Sequence, residues 1–484
     1  MKRTSAGAVF LTVVVDLVGF GIVLPLLPLY ADRFHATGEE IGLLFSSFSA
    51  MQFLFAPVWG RISDRVGRRP VLLVGLAGSV VFYTVFGLAD SVAWLFVSRI
   101  GAGICGATIS VSNAYIADVT PPEQRARGMA LIGAAFGIGF TIGPPLGFLA
   151  MHEGEALAAA GFAPPWLALG MPGFAAAAIS LVSFLWTLTS VGEPPRHQAT
   201  GRRHFDLGAV GKARSKRTLA LLLAFHFVSV FAFSGFEGTL SLMLRERYGF
   251  AQKPMGMIYL YIGVLLTLFQ GILVRKVLDR GSRSGLLAFG CVLAAEGIAG
   301  TATLPGTPAL FLHLAVAALG LVCLLLTLFP GFPGRRILDL PSERSLVNVG
   351  LVLMALGLAG LAICTTTPGL LLHLAVAVQG FACVTPSLSS LISRQAVEGN
   401  QGAMMGLAAS ASALGRIFGP FVGNLVYAPR GQQGTALGPA LEPLFGTLAH
   451  HQRPYVMSAV LVALLAVTAS VSLPREDGGD PPGG

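Results

Sequence analysis

Gly60-Arg-Ile-Ser-Asp64-Arg-Val-Gly-Arg-Arg-Pro70 is a charged island between two apolar stretches, 41–60 and 70–89. Four arginines surround one carboxylate here, and the glycines at 60 and 67 permit a tight chain reversal. So many charges do not remain in hydrocarbon, so the chain must reach water between its two flanking runs. A run of about 20 apolar residues at 1.5 Å per residue matches a hydrocarbon core of roughly 30 Å. Asp64 among the arginines reads as a charge-paired clasp between two helices; a plain basic loop is the blander alternative.

The same alternation continues outward. The first half gives six spans, near 6–30, 41–60, 70–89, 92–117, 128–151 and 166–191. Of the 484 residues, 54% are hydrophobic and 11% charged. A soluble domain carries about 25% charged residues, so a soluble fold is excluded. The net charge of +9 would suit a nucleic-acid partner, but the cations cluster in alternate loops. They fall at Lys2 and Arg3, Arg61 to Arg69, Arg125 and Arg127, Arg196 to Arg217, Arg275 to Arg283, Arg335 to Arg344, and Arg394. That is the positive-inside pattern of a multi-pass inner-membrane protein with both termini cytoplasmic, and nucleic acid drops out as a partner. Arg245, Arg247 and Lys253 break it, falling on the outer side with only Glu246 to offset them. The five cysteines lie in apolar runs without metal-ligand spacing, and the first apolar run reads as a retained span. No motif calls for a metal or a cofactor, and no nucleophile–base set suggests an enzyme.

A polar segment, 192–217, with Pro194, Pro195 and seven Lys or Arg, separates an N-terminal bundle (1–191) from a C-terminal one (218–474). A polar tail, 475–484, follows. Within the second bundle, Leu265-Leu-Thr-Leu-Phe269 recurs as Leu325-Leu-Thr-Leu-Phe329, and Leu312-His-Leu-Ala-Val-Ala317 as Leu372-His-Leu-Ala-Val-Ala377. About 29 of 56 positions agree between 265–320 and 325–380, which reads as a tandem duplication of a helical pair. Eight spans follow, near 218–243, 255–274, 284–304, 307–329, 346–366, 368–391, 402–427 and 454–474, for about fourteen in all. Gly139, Gly143-Pro144 and Gly147 also correspond to Gly415, Gly419-Pro420 and Gly423, a weak symmetry between the halves.

The 60–70 segment resembles the signature loop of the major facilitator superfamily, Gly-x-x-x-Asp-Arg-x-Gly-Arg-Arg. The resemblance implies an all-α polytopic fold of two pseudo-symmetric helical bundles, here with the second enlarged by the duplicated pair. It also implies a cytoplasmic gate at Gly60, Asp64, Arg65, Gly67 and Arg68, with Asp118 as the partner of Arg68. Ser98-Arg99-Ile-Gly101-Ala-Gly103 is similar to the family's Arg-x-x-x-Gly element, whose arginine is linked to proton coupling; snorkelling to the interface is the alternative. The fifth span, with Gly139, Gly143, Pro144 and Gly147, resembles the helix associated with antiporters, although close packing alone would explain its glycines.

Asp16 lies mid-helix in Val13-Val-Val-Asp16-Leu-Val-Gly19-Phe-Gly21, where an ionisable group is a functional candidate by default. The run is similar to the first helix of drug/proton antiporters, tetracycline exporters in particular. Those exporters carry a further acid in the third helix, where Gly78-Ser-Val-Val-Phe-Tyr83 has none, so the resemblance reaches the antiporter and not tetracycline itself. In the second half, Glu237 and Glu296 are further proton-coupling candidates, and Arg416, before Gly419, Pro420 and Gly423, is a costly intramembrane cation suited to pair with one of them. His226 reads as an interior histidine, and His313 and His373 as interface anchors at matching repeat positions. The expected function is proton-coupled export of small amphiphilic compounds, with proton-coupled import of a nutrient or a transport-impaired variant as the alternatives. The expected partners are a small-molecule substrate, protons and the lipid bilayer, with the oligomeric state open.

Overall fold

The computed structural model describes residues 6–120, 125–162, 164–194, 215–269, 343–395, 401–427 and 448–473. Among them every regular element is a helix. In chain order these are α1 (Ala6–Val23), a 3₁₀ turn (Leu24–Leu26), α2 (Leu27–Arg33), α3 (Gly38–Val66), α4 (Arg68–Gly87), α5 (Val92–Gly106), α6 (Ile109–Val119), α7 (Arg125–Ala159) and α8 (Pro165–Ser190). The second half supplies α9 (Lys216–Tyr248), α10 (Gln252–Leu268), α11 (Glu343–Ile363), α12 (Thr367–Arg394), α13 (Gln401–Tyr427), a 3₁₀ turn (His450–Gln452) and α14 (Arg453–Ser472).

Ten candidate spans among the described residues are long and apolar enough to cross a membrane. The expected fifth and eighth spans correspond to α7 and α10. The expected spans near 284–304 and 307–329 lie outside the described residues, as do Glu296, His313, most of the first repeat copy, 195–214 of the linker and the tail. Leu54, Val74, Val81, Val182, Val467 and Val471 are exposed along these helices. So many large apolar side chains turned outward suit lipid and not water.

Local sequence explains several boundaries. Thr37 and Glu40 cap α3 reciprocally: Glu40 N–H donates to Thr37 Oγ1 at 3.2 Å, and Thr37 N–H to Glu40 Oε2 at 2.7 Å. The first span is broken at Leu24–Leu26, where Pro25 and Pro28 each remove a backbone donor. The fourth is divided by a turn at Ala107 and Thr108. The second span was expected to end at residue 60, yet α3 runs on to Val66. Past the apolar stretch the chain stays helical through charged residues, and the reversal is made by Gly67 alone, at φ 109°.

By contacts the chain divides into two compact units, one of Met1–Phe205, Ser234–Thr267 and Arg416–Pro454, the other of Asp206–Phe233, Leu268–Gly415 and Tyr455–Gly484. In the first, α1 packs on α7 and α8, α4 on α5 and α8, and α3 on α5 and α6. Its core includes Val13 and Leu17 of α1 with Val71, Leu72, Tyr115 and Ile116. The glycines of α7 set the approach to α1: a Cβ on Gly143 would stand 2.7 Å from Gly21 Cα, and one on Gly147 2.5 Å from Ile22 O. The same unit pairs α9 with α13 in like fashion, a Cβ on Gly423 falling 2.7 Å from Gly235 O.

In the second unit, α11 and α12 form a close pair in which Gly350 faces Gly380 and Gly357 faces Ala377. The Arg394 guanidinium and the Ser390 hydroxyl both reach the Glu343 carboxylate, joining the start of α11 to the end of α12.

Candidate functional site

The charged turn between α3 and α4 is built around Arg68. Its Nε donates to Asp118 Oδ2 at 3.0 Å, and its Nη1 lies 2.6 Å from Asp64 Oδ1 and 2.5 Å from Ser63 Oγ. Three elements (α3, α4 and α6) therefore meet on one guanidinium, whose planar fork suits several acceptors at once. Gly60 lies inside α3 with nothing near its missing Cβ, while Arg65 is exposed on the last turn.

Glu193, just after α8, completes the turn and was missed in the sequence. It accepts the backbone N–H groups of Arg68 at 2.6 Å and Arg69 at 2.9 Å, placing a carboxylate on the otherwise unsatisfied N-terminus of α4. Tyr115 Oη donates to Gly192 O at 2.6 Å, and Arg69 Nη2 to Leu188 O at 2.8 Å, so the end of α8 is tied to the same corner. The available signal was an acid directly beyond the last apolar residue of a span, opposite a cationic loop.

A second cluster lies inside the spans. Asp16 is half-buried on α1 within side-chain hydrogen-bonding reach of Ser79, while its Oδ1 is buried without a hydrogen-bond partner. Tyr83, one turn beyond Ser79 on α4, lies within electrostatic range of both Asp16 and Arg99. Arg99 is 1% exposed, and none of its three guanidinium nitrogens has a hydrogen-bond partner among the described residues. It rests on aromatic faces instead, 4.4 Å from the Phe48 ring centroid and 5.8 Å from that of Phe20. Phe20 stacks on Phe48 at 4.7 Å and meets Phe140 edge-on. Gly103, one turn after Arg99, has α3 against it, with Phe48 O 2.5 Å from where its Cβ would stand. The glycine of the Arg-x-x-x-Gly element thus lets the aromatic ring reach the arginine. Ser79, Tyr83, Phe20 and Phe48 carried no sequence signal, being ordinary residues of apolar spans.

In the second half, Glu237 on α9 and Arg416 on α13 act on one another electrostatically. The helices that carry them touch through Gly235 with Gly419 and through Gly238 with Pro420. Asn424 Nδ2 donates to Gly238 O at 3.3 Å. Glu237 follows that glycine contact by two residues, whereas Asp16 precedes Gly21 by five, so the two carboxyls are not symmetry counterparts. His226 and His373 are buried. Among the described residues no group of three or more His, Cys, Asp and Glu could hold a metal ion.

First-half and second-half helices also meet within the first unit. Ser241 Oγ donates to Pro25 O, Ser46 Oγ to Ile417 O, and Thr141 Oγ1 lies 3.0 Å from Thr267 Oγ1. Gln252 Nε2 donates to Glu155 Oε1 at 3.0 Å. All but the Thr141 contact lie toward the helix ends remote from Gly67.

The family model of the Major Facilitator Superfamily matches residues 9–333. The chain is 31% identical to human major facilitator superfamily domain-containing protein 10 over 89% of each chain. It is 46% identical to the class C tetracycline resistance protein of Escherichia coli over 153 residues, 31% of this chain and 39% of that one. Its fold is similar to the crystal structure of the human organic anion transporter MFSD10 (TETRAN), with TM-score 0.59, 25% identity, and coverage of 96% of this chain and 99% of that one. A helical membrane protein with this charged turn and this extent of similarity belongs to the Major Facilitator Superfamily, whose members are secondary transporters.

Proposed function

We propose that the protein is a proton-coupled antiporter that exports small amphiphilic compounds across the inner membrane, with both termini cytoplasmic. The observation that carries the reading is Asp16, a carboxyl inside the first span with one oxygen buried and without a hydrogen-bond partner. A group so placed gains from taking up a proton or from meeting a charged or hydrogen-bonding ligand at the oxygen that Ser79 does not reach. The antiporter-like helix α7 packs its Gly139 and Gly143 against α1, the helix that carries Asp16. Arg99 supplies a fixed positive charge in the same cluster, and Glu237 beside Arg416 supplies a second acid. In this reading the Asp64–Arg68–Asp118 network, with Glu193, is the cytoplasmic gate. The contacts from Ser46 to Ile417 and from Ser241 to Pro25 belong to its outer counterpart. Tetracycline resistance and organic anion transport among the relatives suit small molecules with polar and apolar parts. The two-bundle division at the linker and the duplicated helical pair belong to the same proposal.

The test is proton release from energised inverted membrane vesicles, followed with a pH-sensitive dye as a panel of amphiphilic drugs is added. Wild type should release protons on adding a substrate, and Asp16→Asn should not. Release that persists in Asp16→Asn removes Asp16 from the proposal, and substrate accumulation without proton movement removes the coupling.

A further inference from the structure

The outer-side cations that break the positive-inside pattern include Lys253, at the start of α10. Lys253 is exposed, and no carboxylate lies within ion-pair distance of it among the described residues. The nearby acid Glu155 is held by Gln252. Lys253 of α10 and His152 of α7 both line a cleft of about 150 Å³ between these two helices. Apart from Lys253 and His152 the lining is apolar, with Leu149, Met257 and Leu260 as its exposed side chains.

Backbone proximity gives the cleft its form. The two helices touch where Gly256 meets Phe148, a Cβ there standing 3.0 Å from the Phe148 Cβ. They touch again where Gly263 meets Thr141, with 2.4 Å to Thr141 Cα. Large side chains beside these glycines rise on either side of the crossing, and Leu149, Met257 and Leu260 are all exposed. The result is a cation-headed furrow open to the membrane at the end of the spans remote from Gly67.

We propose that this furrow binds one glycerophospholipid with an anionic headgroup. Its phosphate meets Lys253 beside His152 while an acyl chain lies along Leu149, Met257 and Leu260. A lysine beside a membrane attracts anionic headgroups, and the apolar bed holds the chain in register below it. Uncharged surroundings of the same depth would hold any lipid equally; the charge makes the site selective. The site is independent of proton coupling and of the transported compound.

The test places a photoactivatable side chain at Met257 in the full-length protein in native membranes and identifies cross-linked lipids by mass spectrometry. The same group at Val467, an exposed position on α14, gives the background. Phosphatidylglycerol should be enriched over phosphatidylethanolamine at position 257 relative to position 467 by roughly fivefold, the preference one cation gives at a membrane surface. Lys253→Glu should remove the enrichment, and Lys253→Arg should keep it. Both changes lie on an exposed side chain, and recovery of folded protein by size-exclusion chromatography controls for insertion. Equal lipid profiles at 257 and 467, or enrichment that survives Lys253→Glu, would overturn the proposal.

Discussion

Gly67 and Glu193 occupy adjacent space that no other residue at position 67 would leave open: a Cβ there would stand 2.7 Å from Glu193 Oε1. Because Gly67 also sits at φ 109°, substitution meets two obstacles, a strained backbone and a displaced carboxylate. Gly67→Ala should cost about 1–3 kcal/mol from the backbone alone, since φ 109° with ψ 159° is a region open essentially to glycine, and more from the lost cap of α4. Glu193→Gln keeps the shape but removes the charge and sets an NH2 donor against one of the two backbone N–H groups; with no backbone strain added, its effect should still be smaller. Apparent thermal midpoints of the purified variants would rank them; equal midpoints would show that Glu193 does not depend on the bare glycine.

Arg99 should be a destabilising residue kept for function. A buried guanidinium with no hydrogen-bond partner is costly, and two phenyl faces offset only part of that cost. Arg99→Met is therefore expected to raise the thermal midpoint by about 2 °C or more while abolishing substrate-driven proton release. A lower midpoint with normal folding yield would mean that Arg99 contributes stability in the described state.

Gly103→Val tests the same cluster from its neighbour. The added side chain falls on the Phe48 backbone, so α3 must withdraw and take the aromatic ring off Arg99. Transport should fall at least as far as in Phe48→Ala, read in the same vesicle assay. Retained transport in Gly103→Val would separate the glycine from the arginine.

Glu237 and Arg416 should behave as a coupled pair. Replacing either alone removes the opposite charge from beside the other inside the first unit, whereas Glu237→Gln with Arg416→Gln removes both charges together. A double-mutant cycle on thermal stability should show a coupling of about 0.5–3 kcal/mol. Strict additivity would dissolve the pair.

Removing sixty residues, 280–339, deletes one copy's worth of the repeat. Gly350, Gly357 and Gly360, which close α11 against Gly380, Ala377 and His373, recur sixty positions earlier as Gly290, Gly297, Gly300, Gly320, Ala317 and His313. The shortened chain should still insert and elute as a single species on size-exclusion chromatography. Aggregation would show that the duplicated pair is required.

The membrane class, the helical fold and the family were legible because they rest on long apolar runs and one dense charged loop. The approach of Arg68 to Asp118 was legible only through the resemblance, which implied that pairing. Glu193 was not: it lies 125 residues from Arg68, and a single acid at a span end gives no hint of which loop it meets. The end of α3 was misplaced because apolar pattern ends where lipid ends, whereas the helix ends where Gly67 turns the chain. Ser79 and Tyr83 escaped notice for a related reason. Inside an apolar span, helical periodicity shows that residues share a face but not which face meets Asp16.

The interruption of the first span at Leu24–Leu26 has a mechanical consequence. In a three-residue turn, Pro28 can offer no N–H to the carbonyl of Pro25, and Ser241 takes that acceptor instead. The short segment after the turn is thereby moored, while the longer segment that bears Asp16 is joined to it through a swivel and not a rigid rod. Tilting of Asp16 need not tear loose that mooring, and spin labels on either side of Pro25 should report a bend angle that changes when substrate binds, with the Ser241 contact intact.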